Sequence, residues 1–147
     1  MSDAPLTRNE EQLKVTRADE LQPETGQTSN ARRYNGVAKE NTAATKIWFG
    51  KVYTGPGEVS GAHHHGEAQT GGYVFKGRGY IRYGHRYEKI IYMNEGDFVF
   101  VPPFMPHIEG NCSHTEELIW MTTRTPDNIV VNLEDEDVAD IEIEYVD

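Results

Sequence analysis

The sequence predicts an all-β chain closed into a barrel or a two-layer sandwich, and three observations carry that reading. Short segments rich in β-branched and aromatic residues recur from Thr45 to Asn132, with Gly, Pro or Asn between them. Stretches of helical period are scarce, and no internal repeat appears. A chain of 147 residues is long enough to bury a core and fits one domain.

In chain order, residues 1–30 read as a loosely structured arm. Residues 1–12 are polar and charged, residues 13–17 read as a short strand, and Pro23 and Gly26 mark residues 18–27 as loop and turn. The barrel is expected over residues 31–132. Arg32–Val37 is a first short strand, and residues 46–53 form a strong one, ended by Pro56-Gly57. Residues 72–76 turn at Gly77-Arg78-Gly79 into a strand at 80–83, which turns again at Gly84-His85. Residues 87–93 are expected to pair through Asn94-Glu95-Gly96 with residues 97–101 as a hairpin. Residues 116–123 are a late strand and 128–132 another. Residues 133–147 are an acidic tail in which 141–145 alternates apolar with acidic. It reads equally as a disordered end or as an edge strand whose charges limit further pairing.

The net charge of −10 belongs mostly to that tail. Eight of the 24 acidic residues lie in 134–147, which has no base, leaving sixteen acids against fourteen bases elsewhere. Such a balance argues against nucleic acid or an anionic membrane as partner. The single cysteine, Cys112, excludes an intramolecular disulfide framework. No apolar leader and no apolar run near the ~20 residues of a membrane span is seen, so the protein is expected to be soluble and cytoplasmic.

Chemistry concentrates between residues 57 and 111. His63, His64 and His65 are consecutive, and in an extended strand His63 and His65 share a face while His64 points away. Two imidazoles on one face begin a site for a borderline metal ion and need a third ligand from elsewhere. His107 offers it.

Gly57, His63 and His65, followed by Gly96, Pro102, His107 and Asn111, resemble in order and spacing the paired motifs of the cupin superfamily. The resemblance covers residues 57–111 closely and roughly 30–125 with its β-rich flanks. It implies a cupin-type double-stranded β-helix, a jelly-roll barrel holding one divalent transition metal such as Mn, Fe, Ni or Zn. Three departures stand out. Gln69 stands where the family usually has Glu, Phe104 replaces the inner Gly of the second motif, and seven residues rather than six separate Gln69 from Gly77. Thr70 fits the stricter count, but Thr is a poor ligand for such metals, so Gln69 is kept as the fourth ligand beside His63, His65 and His107.

Tyr73 and Phe75, which share parity with Gln69, are expected to line a substrate pocket with Trp48, Phe104, Met105 and Trp120. Each of these is also plain core material. Glu67 is the candidate general acid or base, against a solvated turn carboxylate as the simpler reading. A His₃Gln shell would leave the metal charge uncompensated, favouring a Lewis-acid enzyme of lyase or isomerase type on a small oxygen-bearing substrate, such as a keto acid, enol or uronate-like sugar. An Fe(II)-type dioxygenase and a non-catalytic small-ligand-binding protein are the alternatives. The resemblance also implies a homodimer.

Overall fold

The computed structural model describes residues 13–134 and 137–147. The expectation for residues 1–12 lies outside that range. Eleven strands are present among the described residues. They are β1 (Gln22–Pro23), β2 (Arg32–Val37), β3 (Trp48–Thr54), β4 (His63–His64), β5 (Gln69–Lys76) and β6 (Gly79–Tyr83). Then follow β7 (Lys89–Met93), β8 (Phe98–Val101), β9 (Ile108–Asn111), β10 (Leu118–Thr125) and β11 (Val131–Asn132). A six-stranded antiparallel sheet has the order β1-β2-β3-β10-β5-β8, a three-stranded sheet the order β9-β6-β7, and β11 pairs with β4.

The central strands alternate buried with half-buried or exposed residues, as a sheet with one wet face requires. Across β3, β10 and β5 the inward row Val52, Trp120 and Val74 is in register and almost wholly buried. Burying each such side chain stabilises the fold by roughly 1.5–3 kcal/mol. Further along β10 the inward side chains change from Leu118 and Trp120 to Thr122 and Arg124. Their inward neighbours change from Val52 and Val74 to Gly50 and Gly72, then to Trp48 and Thr70. The interior is thus apolar at one end and polar at the other.

The expected hairpin between 87–93 and 97–101 does not form. β7 pairs with β6, whereas β8 pairs with β5 in the other sheet. The Asn94–Asp97 turn is real, held by Asp97 Oδ2 on the Asn94 amide and by Gly96 at φ +93°, but it carries the chain from one sheet to the next. Alternation fixes a strand's faces and leaves its partner unnamed. Residues 13–17 form no strand, and residues 18–27, read as loop and turn, also contain β1. β9, absent from the sequence reading, takes the space between His107 and Asn111.

Asn111 fastens the second motif. Its side chain donates to the carbonyls of Thr54, Gly55 and Glu116 and accepts from the Ser113 amide. The tail from residue 137 to 147 is neither strand nor loose end. It lies extended over the three-stranded sheet, with Asp137 in a two-pronged ion pair to Arg86 and the Ala139 amide bonded to the Arg86 carbonyl. Tyr92 receives the Glu144 amide on its hydroxyl, and the Tyr145 ring lies 4.1 Å from that of His114. Asp147 accepts from the hydroxyls of Ser113 and Thr115 and from the His114 amide, which together hold its carboxyl down to about 2.

A depressed carboxyl contributes stability above its unfolded value, and that contribution is lost as pH falls through the folded one. The Tyr145 ring resonances are therefore expected to keep their folded positions from neutral pH down to about 4, and to move toward random-coil values only between about 4 and 2. In Asp147→Asn they should move already at neutral pH. Unchanged Tyr145 shifts in that variant would show that the clamp does not hold the tail.

Candidate metal centre

The two histidine-bearing segments are neighbours. From Gly57 to His63 the chain runs beside β9, with backbone bonds from Gly57 to Ser113, Asn111 to Glu58, and Ser60 to Glu109. At the end of that run His63 and His107 exchange a pair of backbone hydrogen bonds of 3.1 and 2.9 Å. Such a pair fixes both Cα positions, so the imidazoles leave adjacent backbones toward the same interior. His65 follows on the same face.

Each ring is oriented from behind. The Nδ1 atoms of His63, His65 and His107 lie 2.8, 2.8 and 2.9 Å from the carbonyl oxygens of Gly61, Ile129 and Met105. A carbonyl only accepts, so Nδ1 carries the proton and Nε2 keeps its lone pair in all three. The three rings are 0, 2 and 1% exposed, and their ligand atoms lie within 4.8 Å of one another. Burial pushes all three imidazoles below their ordinary value, aided at His63 by His107 and Arg33 and at His65 by Arg124. They are neutral at pH 7, the form that binds a metal.

Three charged residues absent from the sequence reading complete the site. Arg33 on β2, Glu109 on β9 and Arg124 on β10 are all buried. Arg33 Nη2 lies 3.5 Å from His63 Nε2 and 3.8 Å from Glu109 Oε1, which is itself 3.9 Å from His63 Nε2. Arg124 Nη2 lies 3.0 Å from His65 Nε2. Burial lowers both guanidinium values, Arg124 to about 9, with the like charge of Arg33 adding and Glu109 opposing. Arginine side chains keep their proton in proteins, so two buried positive charges sit beside Glu109. Thr70 Oγ1, Trp120 Nε1, Arg124 Nε and Glu109 Oε1 are buried and have no hydrogen-bond partner in the protein. All four residues line one narrow cavity of about 20 Å³ with His65 and His107.

Gln69 is not brought to this site. It is exposed, and Thr70 lines the cavity in its place. Gly66 at φ +56° and Glu67 form a turn after His65, and strand parity does not pass through a turn. Tyr73 and Phe75 go outward with Gln69. Tyr73 borders an outer apolar groove with Phe49 and Phe98, and Phe75 is 56% exposed. Glu67 is exposed in the turn. Phe104 is 63% exposed with its ring against His64, and it takes φ +58°, a conformation that favours the Gly of the family motif. Trp48 is core, its indole Nε1 bonded to Asn35 Oδ1. Met105 packs against the core, and Trp120 alone of the six expected lining residues borders the cavity. Parity with Trp120 in β10 points to Arg124, and parity with His107 points to Glu109. No comparable signal exists for Arg33.

The donor set fits a divalent transition metal: three neutral Nε2 lone pairs converge, each fixed by a backbone carbonyl behind it, as metal-binding histidines usually are. Two features are set against it: Arg124 Nη2 faces the lone pair of His65 at 3.0 Å, and Arg33 Nη2 faces that of His63 at 3.5 Å.

No curated protein sequence matches the chain. Solved structures do. The polyketide cyclase RemF from Streptomyces resistomycificus aligns with a TM-score of 0.67 at 13% identity, over 83% of this chain and 86% of that one. Oxalate decarboxylase from Lactobacillus farciminis, in its formate complex, aligns at 0.65 and 18% identity, over 78% of this chain but only 34% of its own length. A conserved, uncharacterized Klebsiella pneumoniae protein with a double-stranded β-helix domain aligns at 0.60 and 18%, over 79% and 92%. At these identities the likeness shows the fold alone. The cupin domain model matches residues 50–124, about half of the chain and the part that carries all three histidines. With that match and a double-stranded β-helix around the cluster, the chain belongs to the cupin domain family.

Proposed function

We propose that this protein is a metal-dependent enzyme acting on a small, oxygen-bearing, anionic substrate by lyase- or isomerase-type chemistry. The observation that carries the reading is the convergence of three proton-free Nε2 atoms beside two buried guanidinium groups. His63, His65 and His107 would hold the ion, one of Mn, Fe, Ni or Zn. When bound it supplies Lewis acidity, polarising a substrate oxygen and stabilising negative charge that develops there.

The chain's own residues do the rest. Arg33 and Arg124 add fixed positive charge in a water-poor interior, where it favours an anion far more than it would in water. Thr70 Oγ1 and Trp120 Nε1 offer further donors to substrate oxygens. Glu109 Oε1 is placed to hold and return a proton, and it takes the general acid/base role first considered for Glu67. The outer groove lined by Phe49, Tyr73 and Phe98 supports the homodimer, and no described helix is long and apolar enough to cross a membrane.

Elemental analysis of the purified protein is the first test, with about one equivalent of divalent transition metal per chain expected. A panel of small keto and hydroxy acids should then be converted without oxygen uptake. Substrate-dependent oxygen consumption would move the assignment to the dioxygenase alternative. Tight ligand retention without turnover, in air or under nitrogen, would leave a binding protein.

A further inference from the structure

Arg124 occupies an unusual position for a buried cation. Its Nη1 donates to Asn128 Oδ1 at 3.0 Å, its Nη2 faces His65 Nε2 at 3.0 Å, and its Nε has no partner. The Trp48 ring lies 5.3 Å from its Cζ and holds the guanidinium in place. Arg33 has Glu109 at 3.8 Å, whereas no described carboxylate lies within ion-pair distance of Arg124.

His65 Nε2 has one lone pair, and Arg124 Nη2 uses the same one that a metal would take. Once a metal holds it, Nη2 joins Nε as a buried donor with nothing to donate to. Leaving charged donors dry in an interior is costly. Nε and Nη2 are also the two parallel donors on one side of the guanidinium fork, the arrangement that receives a carboxylate through two bonds.

We propose that Arg124 is the anchor for a carboxylate group of the ligand, and that metal binding at His65 exposes this anchor, so that metal and carboxylate bind cooperatively. The inference rests on the metal-dependent reading above and extends it to substrate class: a short-chain acid whose carboxylate head meets Arg124. Thr70 Oγ1 and Trp120 Nε1 face the same cavity as further donors, and a free volume of about 20 Å³ restricts the ligand to few heavy atoms. Coupling of this kind is reciprocal: whatever factor formate adds to metal affinity, metal must add to formate affinity.

The test uses the full-length protein, stripped of metal by a chelator and titrated calorimetrically with Zn²⁺ in chloride buffer, with and without formate as a one-carboxylate probe. In wild type, formate should raise Zn²⁺ affinity roughly 10-fold, and Zn²⁺ should raise formate affinity by the same factor. Arg124→Lys keeps the charge but lacks the fork, and its coupling should fall to within about 2-fold of none. In wild-type protein labelled with ¹⁵N, formate should shift the Arg124 Nε–H resonance only after Zn²⁺ is bound, a measurement independent of how well the variant folds. Coupling unchanged in Arg124→Lys, or an Nε–H resonance indifferent to formate in the Zn²⁺-loaded protein, overturns the inference and leaves the metal site standing. Failure of Zn²⁺ to bind at all overturns both.

Discussion

Replacing His65 with alanine is expected to lower metal affinity by more than about 100-fold, so that the purified variant loses its metal on dialysis. Loss of a residue that merely orients a ligand costs 10–100-fold as a rule, and removing the ligand itself costs more. His63 and His107 would remain, joined through their backbones, but two imidazoles do not close a three-nitrogen face. The substitution has a second effect. It removes the acceptor for the buried Arg124 Nη2 and the donor to the half-buried Ile129 carbonyl. Each such loss costs on the order of 1–3 kcal/mol, so the variant should also unfold at lower urea concentration than wild type. His64→Ala is the control. That ring is half-buried, lies against Phe104 and accepts from the Gly66 amide, so its loss should leave metal content unchanged. If His65→Ala retains metal as tightly as wild type, the three-histidine centre is not where the metal sits.

The contrast between His64 and its neighbours shows what the sequence could say. Two-residue periodicity within one extended run separates His63 and His65 from His64 without reference to any other part of the chain. The same logic misplaces Gln69, Tyr73 and Phe75, because Gly66 at φ +56° reverses the chain and resets the parity. Thr70, which fits the family count, is the residue the fold turns inward. Arg33, Glu109 and Arg124 were hidden for a different reason. Charged residues face water unless paired, and sequence alternation in β10 and β9 makes them inward only once their strands are known to line the interior. Polarity and position conflict at all three, and such conflicts gather at functional sites.

The polar interior also depends on a packing detail in the strand behind it, and the largest expected loss of stability lies there. Gly50 is buried in β3, opposite Thr122 on one side and Asn35 on the other. A Cβ added to it would meet the Tyr34 carbonyl oxygen and would come 2.5 and 2.7 Å from Trp48 Cζ2 and Cη2. A flexible side chain could swing aside, but a backbone carbonyl in a strand cannot, and Trp48 is tied by its Asn35 bond and covered by Arg124. Gly50→Ala is therefore expected to destabilise the protein by about 3 kcal/mol, the upper end for an overpacked core. For a chain of this length that lowers the melting temperature by roughly 6–12 °C. Gly96→Ala separates crowding from backbone strain: nothing lies within 4 Å of its added Cβ, and the cost there is only that of φ +93°, about 1–2 kcal/mol. Because displaced Trp48 would no longer hold Arg124, Gly50→Ala should also weaken the coupling between Zn²⁺ and formate while Gly96→Ala leaves it intact. A Gly50→Ala protein melting within about 2 °C of wild type would show that the strand accommodates the methyl group and that Trp48 does not brace the site.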